Sequence, residues 1–155
     1  MPRVSVRPAV QDDAALLLAW RNDEVTRRAS LSTTQVSESD HDAWLARSLD
    51  DPTRLLLVAE EDGRPVGTVR FDACQESPGV WEVSITVAPQ SRGRGVAARV
   101  LRAGEEELAA RVGSPVRVLA RVRQDNTSSA RLFEGAGYVV GSRDAGVVSM
   151  WRTVA

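Results

Sequence analysis

The chain has 155 residues, of which 43% are hydrophobic, 26% charged and 5% aromatic, with 20 basic and 21 acidic side chains. This composition excludes a disordered, collagen-like or disulfide-rich chain, and the length predicts one globular domain, residues 1–155. The net charge of −1 lacks the basic excess of a nucleic-acid-binding domain, so we expect no nucleic-acid partner.

Few side chains are available for covalent or metal chemistry. All 20 basic residues are arginine, which excludes a Schiff-base lysine. One histidine, His41, and one cysteine, Cys74, do not make a four-ligand zinc site, so we expect no metal. We interpret Cys74 as a strand-end residue. No apolar run spans a membrane and the opening residues do not resemble a signal peptide, so we expect a soluble cytoplasmic protein without a membrane partner.

The first third of the sequence predicts one strand and three helices. Alternation of apolar and polar residues indicates the strand, and apolar residues at helical spacing after Asp or Ser indicate the helices. The predicted elements are a strand over Val4 to Pro8, a helix capped by Asp12 and reaching about Asn22, a short helix from Glu24, a loop over Leu31 to Val36, and a helix capped by Ser37 or Ser39 and ended by Pro52.

The remaining sequence predicts strands interrupted by two helices. A turn over Glu61 to Pro65 indicates a hairpin, and the order of elements indicates a mixed α/β (α+β) fold. The predicted elements are strands over Arg54 to Glu60, Val66 to Phe71 and Val80 to Val87, a helix from Val96 to the Gly113–Ser114–Pro115 stop, a strand over Val116 to Val122, a helix over Asn126 to Gly135, and strands over Tyr138 to Val140 and Val147 to Val154.

The segment from Gln90 to Gly95 joins a predicted strand to a predicted helix through Gly93 and Gly95. Glycine lets a ligand approach the backbone closely, and a helix N-terminus offers unpaired N–H groups and a positive dipole end. These features predict a pyrophosphate site, to which Arg92 and Arg94 would add charge. A turn whose glycines serve only packing is the alternative. The segment lacks the third glycine of a dinucleotide fingerprint and the Gly-Lys-Ser/Thr of a P-loop.

Gln90-x-x-Gly93-x-Gly95 resembles the acyl-CoA-binding motif of the GCN5-related N-acetyltransferase (GNAT) superfamily, and Asn126 to Tyr138 is similar to its second motif. The resemblance covers nearly the whole chain. It implies a twisted, mostly antiparallel sheet of six to seven strands, about four flanking helices, and a central strand pair that splays apart. It also implies acetyl-CoA-dependent N-acetylation of a primary amine by direct attack in a ternary complex.

The resemblance implies a role for each residue of the two motifs. The backbone from Gln90 to Gly95 would hold the CoA pyrophosphate, and Val87 would pair with the pantetheine arm and donate its N–H to the thioester carbonyl. Asn126 would lie beside the pantetheine, with a plain helix N-cap as the alternative. The implied cofactor-binding residues are Val87, Gln90, Ser91, Arg92, Gly93, Arg94, Gly95, Val96, Asn126 and Phe133.

The resemblance also implies how the protons are handled. Glu82, on the polar face of the strand that ends at Val87, would remove the amine proton directly or through a water that Ser84 positions. A solvated or salt-bridged glutamate is the alternative. Phe133 stands where many members have a tyrosine that protonates the leaving thiolate, and phenylalanine has no proton to give. Tyr138 is the alternative acid, although its offset in the motif differs.

Two tryptophan-centred clusters near the N-terminus resemble the amino-sugar and ribosomal-protein acetyltransferase subgroup. They imply a small-molecule amine acceptor, with a nucleotide-linked amino sugar as the preferred class. The implied acceptor-binding residues are Trp20, Arg21, Asn22, His41 and Trp44.

Other interpretations of these clusters stay open. Both tryptophans could be core residues, and His41 could be a surface or capping residue, or an alternative base. The alternative functions are a peptide or protein N-terminal, aminoglycoside or polyamine acetyltransferase, and a CoA-binding module without activity. We expect a monomer or a homodimer.

Overall fold

The computed structural model describes residues 3–32, 34–113 and 115–155. Over these residues the chain forms seven strands and five α-helices, one more helix than the resemblance implied. In chain order they are β1 (Val4–Pro8), α1 (Ala14–Asn22), α2 (Glu24–Ala29), α3 (Glu38–Leu49), β2 (Arg54–Glu61), β3 (Arg64–Ala73), β4 (Val80–Val87), α4 (Val96–Val112), β5 (Val116–Arg123), α5 (Thr127–Gly135), β6 (Val139–Asp144) and β7 (Val147–Val154).

The strands form one seven-stranded sheet in the order β1-β2-β3-β4-β5-β7-β6. Every neighbouring pair is antiparallel except β4 and β5, which are parallel. The β2–β3 hairpin turns at Asp62 and Gly63, whose φ angles of 53° and 79° match the right-handed twist of the flanking strands. The mostly antiparallel mixed fold is therefore confirmed.

The two central strands part soon after they meet. β4 and β5 pair only where Val80–Glu82 lies beside Arg117–Leu119. Beyond that point β4 stays paired with β3 as far as Val87, and β5 stays paired with β7 as far as Arg123. The gap between residues 83–87 and residues 120–123 is called the strand split below. The predicted splayed pair is thus present.

Helices cover both faces of the sheet. Alternate residues of β2 pack against different helices on the two faces. Leu57 and Ala59 belong to the larger core cluster, which includes residues of α4 and α5. Leu56 and Val58 point to the opposite face and pack in a second cluster with residues of α1 and α3. The period of two along a strand explains this division. The strand split therefore lies between two packed layers.

Gly104 lets α4 approach β3. A Cβ atom at this position would lie 2.6 Å from Val69 Cγ1 and 3.3 Å from the Phe71 ring, and both of those side chains are fully buried. We expect Gly104→Leu to lower the free energy of unfolding by roughly 2 kcal/mol or more, because overpacking a filled core is destabilising. Denaturant unfolding measures this change. Ala110→Leu, on the exposed side of α4, is the control, and an equal loss in both variants would contradict the packing explanation.

Some predicted boundaries are wrong. A one-turn 3-10 segment, Gln11–Asp13, precedes α1, so Asp13 rather than Asp12 occupies the N-cap position. The Asp13 carboxylate accepts the Val10 N–H at 2.8 Å and pairs with Arg7 at 2.9 Å. β6 starts one residue after the predicted Tyr138 and ends at Asp144, four residues beyond the predicted Val140, because it pairs with β7 along most of its length.

Other boundaries agree with the sequence. Ser37 caps α3 by accepting the Asp40 N–H at 3.2 Å, and α4 ends before Gly113, which has a φ of 93°. Ser114 of the predicted stop and Thr33 of the predicted loop lie outside the described residues. In the part of the chain that is described, no helix has the length and apolar character needed to cross a membrane.

Candidate active site

A cavity of about 680 Å³, called the split cleft below, occupies the strand split. It runs from residues 82–87 of β4 across to Arg121 and Val122 of β5. Residues of α5 and of the segment Gln90 to Gly95, called the glycine segment below, also line it. Of the residues predicted to bind the cofactor, those that line it are Val87, Ser91, Arg92, Gly93, Gly95, Val96, Asn126 and Phe133. Gln90 and Arg94 do not line it.

The free edge of β4 carries unpaired backbone groups. Ala88 donates its N–H to the Val66 carbonyl at 2.8 Å, and bonded and non-bonded pairs alternate along an antiparallel ladder. Ile85 and Val87 therefore direct their N–H and C=O groups away from β3 and into the strand split. β5 does not pair with this part of β4. An extended ligand chain fits there as an added strand.

The glycine segment leaves open space beside the N-terminus of α4. Gly93 and Gly95 have φ angles of 79° and 71°, and a Cβ atom at either position would meet no atom within 4 Å. The helix begins at Val96, and no side chain caps its first N–H groups. Main-chain donors at a helix N-terminus suit a phosphate group, so this end of the split cleft fits a CoA pyrophosphate.

The two arginines of this segment are already paired. Arg92 Nη2 donates to the Asp23 carboxylate at 2.6 Å and to the Thr26 hydroxyl at 2.9 Å. This pairing holds the pKa of Asp23 below its usual value. Arg94 pairs with Glu61 at 3.2 Å, away from the split cleft. The contribution of Arg94 to the pyrophosphate site stays a prediction, and Arg92 ties the glycine segment to α2.

Asn126 serves as the N-cap of α5, in agreement with one of its two predicted roles. Its side-chain oxygen accepts the Ser129 N–H at 3.1 Å, and its amide donates to the Ala29 carbonyl at 3.3 Å. The residue lines the split cleft as well. Phe133 forms a buried part of the cleft wall, and its ring lies 5.0 Å from the Tyr138 ring.

Tyr138 is buried in the core and does not line the split cleft. Its hydroxyl donates to Glu105 at 2.7 Å, and burial beside that carboxylate raises the pKa of Tyr138. Arg152 pairs with the other oxygen of Glu105. The alternative role of Tyr138 as the acid for the leaving thiolate is therefore wrong.

Tyr138→Phe tests this placement. We expect the variant to keep kcat unchanged and to lose about 1–3 kcal/mol of the free energy of unfolding, because Glu105 loses a buried donor. Steady-state kinetics and denaturant unfolding measure the two quantities. A large fall in kcat at unchanged stability would place Tyr138 in the reaction after all.

Glu82 stands where the strand split begins. Its carboxylate accepts from Arg121 Nε at 3.0 Å, so β4 and β5 are joined by an ion pair at the last point where they are close. Glu82 and Ser84 both line the split cleft. The Ser84 hydroxyl lies 3.5 Å from Arg70 Nη2. The salt-bridged alternative for Glu82 is present, and its carboxylate remains on the cleft wall.

A second cavity of about 430 Å³, called the α1–α3 cavity, lies between these two helices and the sheet. Trp20, Asp40, His41 and Trp44 form its helical walls. The residues that line both this cavity and the split cleft are Arg21, Arg70, Ser84 and Thr86. The two cavities therefore meet at these four residues.

His41 is buried in the wall of the α1–α3 cavity, so its interpretation as a surface residue is wrong. Only 4% of the residue is exposed, and its ring lies 5.5 Å from Trp44. Nδ1 is buried and has no hydrogen-bond partner among the described residues. Burial lowers the pKa of His41, so the ring is neutral at pH 7.

This burial predicts a pH dependence of stability. The unfolded chain takes up a proton at His41 near the usual pKa of 6.5, whereas the folded chain does so only at lower pH. The free energy of unfolding should therefore fall as pH decreases below about 6.5. The carboxyls with lowered pKa, such as Asp13, titrate below 3.8, outside this range. Urea unfolding between pH 5 and pH 7 should show the slope in the wild type and not in His41→Gln. An equal slope in both proteins would contradict it.

Asn22 and Trp20 have structural roles. Both amide atoms of Asn22 bond the backbone of Val36, at 2.7 and 2.8 Å, which fixes the loop before α3. Asn22 does not line the α1–α3 cavity, so its predicted acceptor contact is wrong for this structure. Trp20 is 4% exposed and belongs to the second core cluster, and it also lines the cavity.

Sequence reasoning missed Arg70 and Arg121. Both lie on the polar face of a strand, Arg70 between Thr68 and Asp72 and Arg121 between Leu119 and Arg123 at a spacing of two. The signal for these two site residues was a charged side chain on the polar face of a predicted strand.

The sequence model of the acetyltransferase (GNAT) domain matches residues 3–139 of the chain. This chain belongs to the GNAT acetyltransferase family. It is an N-acetyltransferase, as the motifs predicted, and the implied use of acetyl-CoA is confirmed with the family.

Solved structures show the same GNAT fold. The spermidine N-acetyltransferase of Vibrio cholerae, in complex with CoA and spermine, has a TM-score of 0.87 at 15% identity, covering 98% of this chain and 96% of that one. AAC(6')-Ib, in complex with paromomycin and acetyl-CoA, has a TM-score of 0.84 at 19% identity, with 97% and 93% covered. The yncA protein of Salmonella typhimurium, with acetyl-CoA, has a TM-score of 0.77 at 24% identity, with 99% and 95% covered.

Proposed function

We propose that this GNAT enzyme transfers the acetyl group of acetyl-CoA to the primary amine of a nucleotide-linked amino sugar, by direct attack in a ternary complex. The observation that carries the proposal is the junction of two cavities at Arg21, Arg70, Ser84 and Thr86. A thioester in the split cleft and an amine in the α1–α3 cavity would meet there. Holding both reactants in line supplies much of the rate enhancement of such a reaction.

The split cleft is proposed to bind acetyl-CoA, which supplies an activated acyl group. The exposed backbone groups of Ile85 and Val87 would pair with the pantetheine amides, and the Val87 N–H would donate to the thioester carbonyl oxygen. The open space at Gly93 and Gly95 would take the pyrophosphate. These backbone contacts all lie along the wall of the split cleft.

The proton of the amine is proposed to leave through Glu82. Its carboxylate is the acidic group among the described residues that line the split cleft. Ser84, two residues along the same strand face, would hold the intervening water. Phe133 offers no proton, so the thiolate would leave without a side-chain acid and take a proton from water, consistent with a thiol pKa near 8.5.

The α1–α3 cavity is proposed to hold the sugar ring. Trp20 and Trp44 supply flat apolar surfaces, and Arg21, Asp40 and His41 supply polar groups that suit hydroxyls. A volume of about 430 Å³ is within the range of small-molecule sites.

A thiol-release assay tests the proposal. Purified enzyme with acetyl-CoA is offered amino sugars, nucleotide-linked amino sugars, aminoglycosides, polyamines and peptides. We expect fastest release with a nucleotide-linked amino sugar, and we expect acetyl-CoA, but not NAD or ATP, to raise the melting temperature. Turnover of peptides alone would assign a protein substrate. A raised melting temperature with no turnover of any amine would indicate the non-catalytic module.

A further inference from the structure

Within the described residues, the guanidinium group of Arg21 forms no ion pair. Nη2 donates to the Ser32 carbonyl at 3.3 Å, whereas Nη1 is buried and lacks a partner among the described residues. The described part of the chain contains no carboxylate paired with Arg21. Partial burial of a charge without a counter-charge is unfavourable, and an opposite charge that approaches it is stabilising. Arg21 thus lacks an anionic partner at the wall shared by the two cavities.

Arg70, beside Arg21, pairs with Asp72, and this carboxylate is shared with a second arginine among the described residues. The Asp72 carboxylate accepts from Arg70 Nε at 3.0 Å and from Arg54 Nε at 2.6 Å. Arg54 and Arg70 lie 5.6 and 5.4 Å from the centre of the Trp44 ring. Burial lowers the pKa of Arg21, and the nearby charges of Arg70 and Arg27 lower it further, so these guanidinium groups repel one another.

The remaining charges do not neutralise this pair. Asp40 is exposed at the first turn of α3 and forms no ion pair within the described residues, and His41 is neutral at pH 7. The charged side chains that line the α1–α3 cavity are therefore two guanidinium groups, of Arg21 and Arg70, and one carboxylate, of Asp40. A cavity with excess positive charge favours an anionic ligand and disfavours a polycation.

We propose that Arg21 and Arg70 form a subsite for an anionic oxygen group, phosphate or carboxylate, on the acceptor amine itself. The inference rests on the proposed acetyl transfer and narrows its substrates to amines that carry such a group. Guanidinium groups bind phosphate and carboxylate through charge-assisted hydrogen bonds. Spermidine and other polycationic amines are excluded as good substrates.

Calorimetric titration of the CoA-loaded enzyme tests the subsite, because CoA then fills the pyrophosphate site. The probes are two matched pairs, glucosamine 6-phosphate with glucosamine and phenylalanine with phenylalaninamide, together with spermidine. In at least one pair, we expect the member with the phosphate or carboxylate to bind tenfold or more tightly than the member without it, which corresponds to about 1.4 kcal/mol. A preference within the phosphate pair identifies a phosphate subsite, and one within the amino-acid pair identifies a carboxylate subsite.

Variants decide which residues carry the preference. Arg21→Gln and Arg70→Gln should each abolish it, Arg21→Lys should keep part of it, and Arg47→Gln, on the exposed face of α3, should keep all of it. Equal binding within both pairs, tighter binding of spermidine, or a preference that survives both glutamine variants would overturn the subsite. Fast acetylation of glucosamine without any preference for its phosphate would support the amino-sugar function and contradict the subsite. Tighter binding of phenylalanine than of phenylalaninamide would support the subsite and contradict the amino-sugar function.

Discussion

Replacing Glu82 with glutamine is expected to lower kcat/KM by roughly 100-fold or more, as loss of a general base does. Glutamine keeps the shape of the side chain and still accepts from Arg121, so the start of the strand split should keep its structure. Acetyl-CoA affinity should therefore stay unchanged. Steady-state kinetics with the best acceptor and calorimetric titration with acetyl-CoA measure the two effects.

The pH profile separates a base from a structural glutamate. Raising the pH supplies more neutral amine, so part of the lost activity of Glu82→Gln should return at high pH. Ser84→Ala and His41→Ala are the comparison variants, since a larger loss in either would move the role to that residue. An active Glu82→Gln enzyme with an unchanged pH profile would show that the amine arrives neutral and that catalysis is mainly by positioning.

Replacing Gly93 with valine is expected to weaken acetyl-CoA binding by at least tenfold, or about 1.4 kcal/mol. The side chain would enter the open space that we assign to the pyrophosphate. The φ angle of 79° also strains any residue other than glycine, by about 1–2 kcal/mol, so the variant should be less stable but folded. Calorimetric titration with acetyl-CoA measures the affinity.

Gly79→Val is the matched control for this strain. Gly79 has a φ of 81°, and a Cβ atom there also meets nothing within 4 Å, but the residue precedes β4 at the end opposite the split cleft. This control should lose similar stability and keep its acetyl-CoA affinity. Equal affinities in Gly93→Val and Gly79→Val would show that Gly93 serves only the turn.

The sequence predicted the central strand β4 better than the start of α1. Val80–Val87 matches its prediction residue for residue, because a strand with one apolar and one polar face has a clear period of two. The start of α1 was misplaced at Asp12, whereas Asp13 accepts the Val10 N–H and also pairs with Arg7, on β1. Local patterns do not contain that tertiary contact.

The candidate site was predictable where it depends on the backbone. The glycine segment has a signature in sequence because positive φ angles need glycine. The pairing of Arg92 with Asp23, the burial of His41 and the position of Arg70 all depend on contacts between distant segments. Such contacts follow from the packing of α1, α2 and α3 on the sheet, which the sequence pattern does not specify.

Amide hydrogen exchange at single-residue resolution, measured with and without acetyl-CoA, tests most directly whether the strand split holds the cofactor. We expect acetyl-CoA to slow exchange at the Ile85 and Val87 amides, which face the gap without a strand partner, and at the amides from Gly93 to Val96. Amides at the β6–β7 turn, including Gly146, should exchange at unchanged rates. Unchanged exchange at Val87 with the enzyme saturated by acetyl-CoA, or protection confined to another region, would contradict this placement of the cofactor.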